Sequence, residues 1–277
     1  MLEQLRQRLR ALEKPAGIAD GAATLPLDIA AIDAALGGGL ARGALHEIAA
    51  ASEAHLPAAT GFTLGLAALP SPHQSPSSFR GAGFAREPGI QKQIQKLHLD
   101  SGPAPSARPG MTKHILWLAE DMALAESGAP YGPGLDAFGL APERLLTVAA
   151  AHRCDLLWAM EEALRCRAVG AVIGEVRDSA VITMTPLRRL SLAAAESGAL
   201  ALLLRASPAD DASPAATRWI VGAAPNDCLA AQLVRNRRGP VGSWILEWSD
   251  SDERFLFATH AQPVAAPALD RPHRKVA

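Results

Sequence analysis

Apolar positions repeat along this chain with two periods, and the way they alternate sets out the elements. In LEQLRQRLRALEK, Leu2, Leu5, Leu9 and Leu12 recur at spacings of three, four and three, with Arg6, Arg8 and Arg10 away from the stripe. This predicts an amphipathic helix over 1–15, ended by KPAG. In LPLDIAAIDAALGGGL a short helix runs into the glycines Gly37, Gly38 and Gly39; the chain turns at Gly43 and the strand ALHEIA begins. A helix over about 58–69 follows. Between 70 and 110 come Pro70, Pro72, Pro76, Pro88, Pro103, Pro105 and Pro109 with no sustained period, which predicts a flexible insertion. HILWLAE (114–120), LLTVAA (145–150), AVGAVIGEV (168–176) and ALALLLR (199–205) are nearly unbroken apolar runs, as expected of strands buried on both faces of a parallel sheet.

Helical patterns separate these runs. CDLLWAMEEALRC places Leu157, Met160 and Leu164 on one face, and TPLRRLSLAAAESG is stopped by Gly198. Alternation of strand and helix predicts a doubly wound α/β sheet. The end of the core differs: ATRWIVG, LAAQLVRN, GSWILEW and RFLFA follow one another without a helix, which predicts an antiparallel annex on the sheet edge. Trp219, Trp244 and Trp248 are expected to pack that annex. The core spans 16–258 apart from the insertion, and 259–277 reads as a disordered, weakly basic tail.

Composition changes this picture only in what it excludes. The formal net charge is −1, so the chain as a whole is not an electrostatic nucleic-acid binder, and contact with DNA is expected to be weak or indirect. Cys154, Cys166 and Cys228 lie at unpatterned spacing; they suit a reducing cytoplasm, and the first two are expected to be partly buried thiols on one helix or at its ends. No apolar run reaches the roughly 18–20 residues that span a bilayer, and the N-terminus shows no signal-peptide core. Contact with a membrane is not expected. The eight histidines show no zinc-ligand spacing, and there is no G-x-S-x-G elbow, so no metal is expected.

The strand ALHEIA is where chemistry is expected and missing. After a glycine-run lead-in of this kind, a nucleotide-binding strand enters G-x-x-x-x-G-K-[ST], whose free backbone N–H groups and lysine cradle phosphates. The residues here are AAASEAHLPAATGF. Ala50 and His55 stand at the two glycines, Leu56 at the lysine and Pro57 at the hydroxyl. None of the five lysines (Lys14, Lys92, Lys96, Lys113, Lys275) follows a glycine. No cofactor is expected.

In their order along the chain these phrases resemble the RecA-like fold, and within it the ImuA family (the SulA/ImuA-type RecA relatives), over about 20–258 apart from the insertion. The matching residues are the LDIAAIDAALGGGL and GALHEI lead-in, Glu120 in WLAEDMAL at the catalytic-glutamate position, Glu175 in AVIGEV at the Walker B position, and Arg235, Asn236 and Arg237 in VRNRRGPVG at the K-N-K element. The phrases TPLRRLSLAAAESGALALLLR, ATRWIVGAAP and LVRNRRGPVGSWILEW are similar to those of ImuA proteins.

The resemblance implies a RecA-like P-loop NTPase fold with a degenerate Walker A, a mainly parallel central sheet with helices on both faces, and an antiparallel C-terminal annex. It also implies a non-catalytic accessory role in SOS-induced translesion synthesis. The implied partners are an ImuB-type Y-family polymerase homologue and an error-prone polymerase III alpha-type subunit. Glu120 and Glu175 are then vestigial, because water activation and magnesium binding both require a triphosphate held in place. Leu2, Leu5, Leu9 and Leu12, together with Arg235, Arg237 and Arg238, are the candidate partner-binding residues, and the leucine stripe is also the candidate for self-association. Two alternatives remain open from sequence. One is a RecA-type DNA-dependent ATPase with an atypical nucleotide site; the other is a SulA-like division inhibitor.

Overall fold

The computed structural model describes residues 23–69, 113–177 and 181–258. The predicted helix at 1–15 with Leu2, Leu5, Leu9 and Leu12, the insertion at 70–110 and the tail at 259–277 lie outside the described residues.

The lead-in folds back on itself. Strand β1 (Thr24–Leu25) pairs antiparallel with β2 (Leu40–Ala41) around helix α1 (Ala30–Leu36). Asp33 Oδ1 accepts the Leu27 N–H at 2.8 Å, which fixes the entry to the helix. Gly37 ends it in the left-handed region at φ 70°. Gly39 has φ 121°, and a Cβ there would sit 2.4 Å from the Leu25 carbonyl oxygen; only glycine lets β2 lie against β1.

The remaining elements alternate as the periodicity predicts. They are β3 (Leu45–Ala50), a 3-10 turn (Glu53–His55), α2 (Leu56–Ala68), β4 (His114–Glu120), α3 (Asp121–Ser127), α4 (Gly132–Asp136), a second 3-10 turn (Pro142–Arg144), β5 (Leu145–Ala150), α5 (Arg153–Arg165), β6 (Val169–Val176), α6 (Met184–Ser197) and β7 (Leu200–Arg205). Four strands close the core: β8 (Thr217–Ala224), β9 (Cys228–Asn236), β10 (Gly242–Ser249) and β11 (Arg254–Phe257). The nine-stranded sheet has the order β11-β10-β9-β8-β3-β7-β6-β4-β5. From β8 to β5 every pairing is parallel, and from β8 outward to β11 every pairing is antiparallel. This is the α/β architecture that the RecA-like resemblance implies, with one correction. ATRWIVG belongs to both portions of the sheet: β8 pairs antiparallel with β9 but runs parallel to β3, with His46 opposite Thr217 and Ala50 opposite Val221. The crossover 206–216 that leads to it contains no helix, so the strand–helix alternation that marks a parallel strand was missing there.

Alternation along each strand sorts the core into two layers. Ile48, Leu202, Leu204, Trp219 and Val221 pack with α2 on one face. Leu45, Leu118, Val172, Ala201 and Leu203 pack with α5 and α6 on the other, where Leu157, Met160 and Leu164 face inward as their spacing predicts. Helix α2 is buried nearly all round, because the annex curls against its outer side. Phe62 stacks at 5.3 Å on Trp219 and 5.2 Å on Phe255, and Trp248 meets Phe255 edge-on at 4.8 Å. Trp244 lies 5.9 Å from Trp219 of β8, so Trp244, Trp248 and Phe255 join the outer strands to the core, each ring contact adding about 0.5–1.5 kcal/mol beyond area burial.

The helix-free crossover 206–216 covers a patch of sheet that carries charges. Arg218 Nε donates to Glu47 at 2.8 Å, and its other nitrogens donate to the Ala209 and Asp211 carbonyls at 2.7 and 2.9 Å. Arg205 pairs with Asp211 at 3.1 Å, and Ser213 donates to Glu47. Two guanidinium groups and two carboxylates balance there, which is what makes Glu47, 1% exposed, tolerable in the interior. Among the described residues no helix is long and apolar enough to cross a membrane.

Candidate functional site

A phosphate cradle needs free backbone N–H groups between the end of β3 and the start of α2. In this chain three of those groups are occupied and a fourth position has none. The Ala51 N–H donates to the Val221 carbonyl at 2.8 Å and the His55 N–H to the Ser52 carbonyl at 2.9 Å. The Leu56 N–H donates to Glu53, closing the 3-10 turn, and Pro57 in the first turn of α2 has none. A side chain adds a further tie. His55 Nδ1 accepts the Ala223 N–H at 3.0 Å, so that nitrogen carries no proton. Leu56, at the lysine position, is 6% exposed and belongs to the core, as does Ala50.

The carboxylate at the Walker B position is also engaged. Glu175, 6% exposed, accepts the Trp117 indole N–H at 3.2 Å and Arg177 Nε at 2.7 Å. Arg177 Nη2 donates to Ser127 Oγ at 2.6 Å, and its Nη1 lies 3.9 Å from Glu126. A cation at Glu175 would have to displace a guanidinium of the same chain. Glu120 is the last residue of β4 and the N-cap of α3, where its side chain makes no capping bond. In the alternation of β4, Ile115, Trp117 and Ala119 face α2, which leaves Glu120 out of register with Glu175. Sequence reasoning missed Arg177 and Trp117. The signal was present, because Arg177 stands two residues beyond Glu175 and so on its side of the strand.

Beside this edge lies an open cleft of about 670 Å³. Helix α2 contributes Leu56, Pro57 and Leu64, the segment after α3 contributes Tyr131, Leu135 and Phe138, and Trp117, Glu175 and Arg177 lie at its base, with Glu53 at the mouth. Gly61 brings the walls together, since a Cβ there would meet Phe138 Cζ at 3.3 Å. Glu120 is not among the lining residues.

The arginine element sits elsewhere. Asn236 pairs with Thr217, which stands at the level of His46 where β8 begins, whereas Glu175 is opposite Leu204 and Leu204 opposite Ile48, toward the far end of the strands. Arg235–Arg238 and the loop after β3 thus lie at opposite ends of the strands within one chain. Asn236 Nδ2 donates to the Ala35 and Pro240 carbonyls at 2.8 and 2.9 Å, and its Oδ1 accepts the Arg238 N–H at 3.0 Å. The element therefore clamps the end of α1, and Arg238 Nη2 reaches the Gly37 carbonyl at 3.5 Å. Arg237 is exposed and Arg235 half-buried. On α6, Arg188 is exposed and Arg189 pairs with Glu161 at 2.7 Å.

His46 is a fully buried polar residue: Nε2 donates to the Ala41 carbonyl at 2.9 Å, and Nδ1 lies 2.8 Å from the Thr217 hydroxyl. Burial pushes its pKa down to about 4, opposed by the Ala41 bond. Cys154 and Cys166, expected to be partly buried, are exposed at the two ends of α5, while Cys228 is buried. The apolar stripe of α5 is supplied by Leu156, Leu157, Met160 and Leu164, so both thiols fall off it.

No protein-family model and no curated protein matches the chain. Among solved structures it is similar to the crystal structure of the RadB recombinase, at 12% identity and a TM-score of 0.49, with 84% of this chain and 98% of that one covered; a likeness at that identity concerns the course of the chain alone.

Proposed function

We propose that this chain is a non-catalytic RecA-like accessory protein of the ImuA type. In this reading it acts in SOS-induced translesion synthesis through contacts with an ImuB-type Y-family polymerase homologue and an error-prone polymerase III alpha-type subunit. The observation that carries the non-catalytic part is the closed loop. The N–H groups of Ala51, His55 and Leu56 are spent within the chain, Pro57 lacks one, and Arg177 occupies Glu175. Phosphoryl transfer depends on positioning and charge neutralisation, and three spent amides, a proline and a paired Glu175 all count against this edge supplying them. The ordered motifs from LDIAAIDAALGGGL to VRNRRGPVG support the choice of family.

Isothermal titration with magnesium-ATP should give no binding heat, alone or with partner present; saturable binding followed by hydrolysis would sink the non-catalytic reading. Co-purification of tagged protein from DNA-damaged cells should recover the polymerase-type partners. Failure to recover either would count against the accessory role.

A further inference from the structure

We propose that the cleft beside the vestigial nucleotide edge is a docking site for a segment of a partner protein, one that carries a bulky apolar side chain next to a lysine or arginine. The inference rests on the accessory reading and names the chemistry of the contact.

Shape and apolar character come first. The cleft measures about 670 Å³, within the range of small-ligand pockets. Leu56, Pro57 and Leu64 form one wall and Leu135 and Phe138 the other, over the ring of Trp117. Tyr131 stands at the rim, 75% exposed, an aromatic group of the kind that anchors protein contacts. Such walls take a large apolar side chain.

Charge then decides what flanks it. Glu53 at the mouth, Glu175 at the base and Glu126 against Arg177 are three carboxylates, and Arg177 is the one guanidinium among the residues that line the cleft. That guanidinium is already shared by Glu175 and Glu126, so the field at the opening is set by carboxylates, and Glu53 and Glu126 are both exposed. A nucleoside triphosphate is repelled by this arrangement, and an acidic peptide equally. An apolar anchor beside a cation is complementary to it.

The test uses the full-length, isotope-labelled protein and two probes of one shape and opposite charge, tryptamine and indole-3-propionate, with magnesium-ATP as a third. Tryptamine should shift the Trp117 indole N–H and Tyr131 resonances and bind roughly tenfold more tightly than indole-3-propionate, while ATP shifts neither. In the double variant Glu53→Lys, Glu126→Lys the preference should reverse. If that variant melts early, Glu53→Gln, Glu126→Gln should abolish the preference instead. Equal or tighter binding of the anion to the unaltered protein, or shifts confined to other surfaces, would overturn the proposal.

Co-purification separates this inference from the reading beneath it. If the charge-reversed protein still recovers the polymerase-type partner in full, the partner docks elsewhere and the cleft proposal fails while the accessory role stands. Loss of the partner in that variant alone supports both. If even the unaltered protein recovers no partner, the accessory role fails, and the cleft's occupant as proposed fails with it, whatever the probes show.

Discussion

Gly65 lies in the middle of α2, where a glycine is ordinarily a weakness. Replacing an interior helix glycine by alanine gains about 1 kcal/mol of helix propensity. Here the packing opposes that gain. A Cβ at Gly65 would lie 2.3 and 2.6 Å from Cζ and Cε2 of Phe255 and 2.9 Å from Cζ3 of Trp248. Neither ring has room to retreat, because Phe255 is 1% exposed and held between Phe62 and Trp248. Overpacking of this kind costs about 1–3 kcal/mol, and three contacts below 3.0 Å place it in the upper part of that range. Gly65→Ala should therefore lose a net 1–2 kcal/mol or so, lowering Tm by roughly 3–6 °C. Urea unfolding followed by tryptophan fluorescence and by circular dichroism reads the difference. Gly61→Ala is the control: its Cβ meets Phe138 Cζ at 3.3 Å, where a small shift suffices and the change should be near neutral. Adding Phe255→Leu removes the clashing ring atoms, so the double variant should be more stable than the sum of the singles predicts. A Gly65→Ala protein more stable than the parent would refute the argument that the annex is seated on this helix at ring-contact distance.

Three other perturbations follow from the same contacts. Arg218→Met strands Glu47 in the interior, with Asp211 left to Arg205, and should cost about 3–5 kcal/mol in urea unfolding, with Glu47→Leu, Arg218→Met recovering much of it; an unchanged midpoint for the single variant would show that the network is not holding the crossover. His46 has a folded-state pKa of about 4, below the ordinary 6.5, so between those values the unfolded chain binds the extra proton. Its contribution is therefore full above pH 6.5 and is lost as pH falls toward 4, about 3 kcal/mol in all. His46→Gln should flatten the stability profile in that window, and an equally steep profile would refute the assignment. Arg177→Gln frees Glu175 but leaves the Ala51, His55 and Leu56 amides spent, so isothermal titration should still detect no magnesium-ATP binding; appearance of binding would show that the arginine, not the backbone, is what closes the site.

Much of the fold was legible because its signals are local. The apolar runs HILWLAE and AVGAVIGEV, and the stripe of Leu157, Met160 and Leu164, each needed only its own period to be placed. What was missed was the parallel pairing of ATRWIVG with β3. A strand's partner is set by distant residues, and the crossover before it is held by Arg218, Asp211 and Glu47 rather than by an apolar helix, so no periodicity announces it. The exposure of Cys154 and Cys166 was missed for a smaller reason: both flank the stripe, and thiols at helix ends carry no pattern. At the site, the lost glycines and lysine were plain in the sequence. Arg177 was not, because a guanidinium on a strand end reads as a surface residue until its carboxylate is known to be buried.

The residues that keep RecA order and those that break it differ in what they touch. Glu47 of ALHEI holds Arg218 and Ser213, His46 ties Ala41 to Thr217, Gly39 admits Leu25, and Asn236 holds Ala35. Each satisfies a polar group or a close approach that folding itself requires, and removing any of them leaves a buried donor, acceptor or clash. The positions that break the pattern, His55, Leu56 and Pro57, are those whose counterparts in a P-loop meet only the nucleotide. Stability alone is therefore reason enough for the lead-in residues. Packing also disfavours P-loop residues at the positions that break the pattern. Lysine at position 56 would carry its charge toward a core in which Leu56 is 6% exposed, and glycine at 55 would remove the ring that accepts the Ala223 N–H. The loop is part of what holds the ends of β3 and β8 together, through the Ala51 N–H on Val221 and the Ala223 N–H on His55, so the residues that depart from a P-loop stabilise the region beside which the cleft opens.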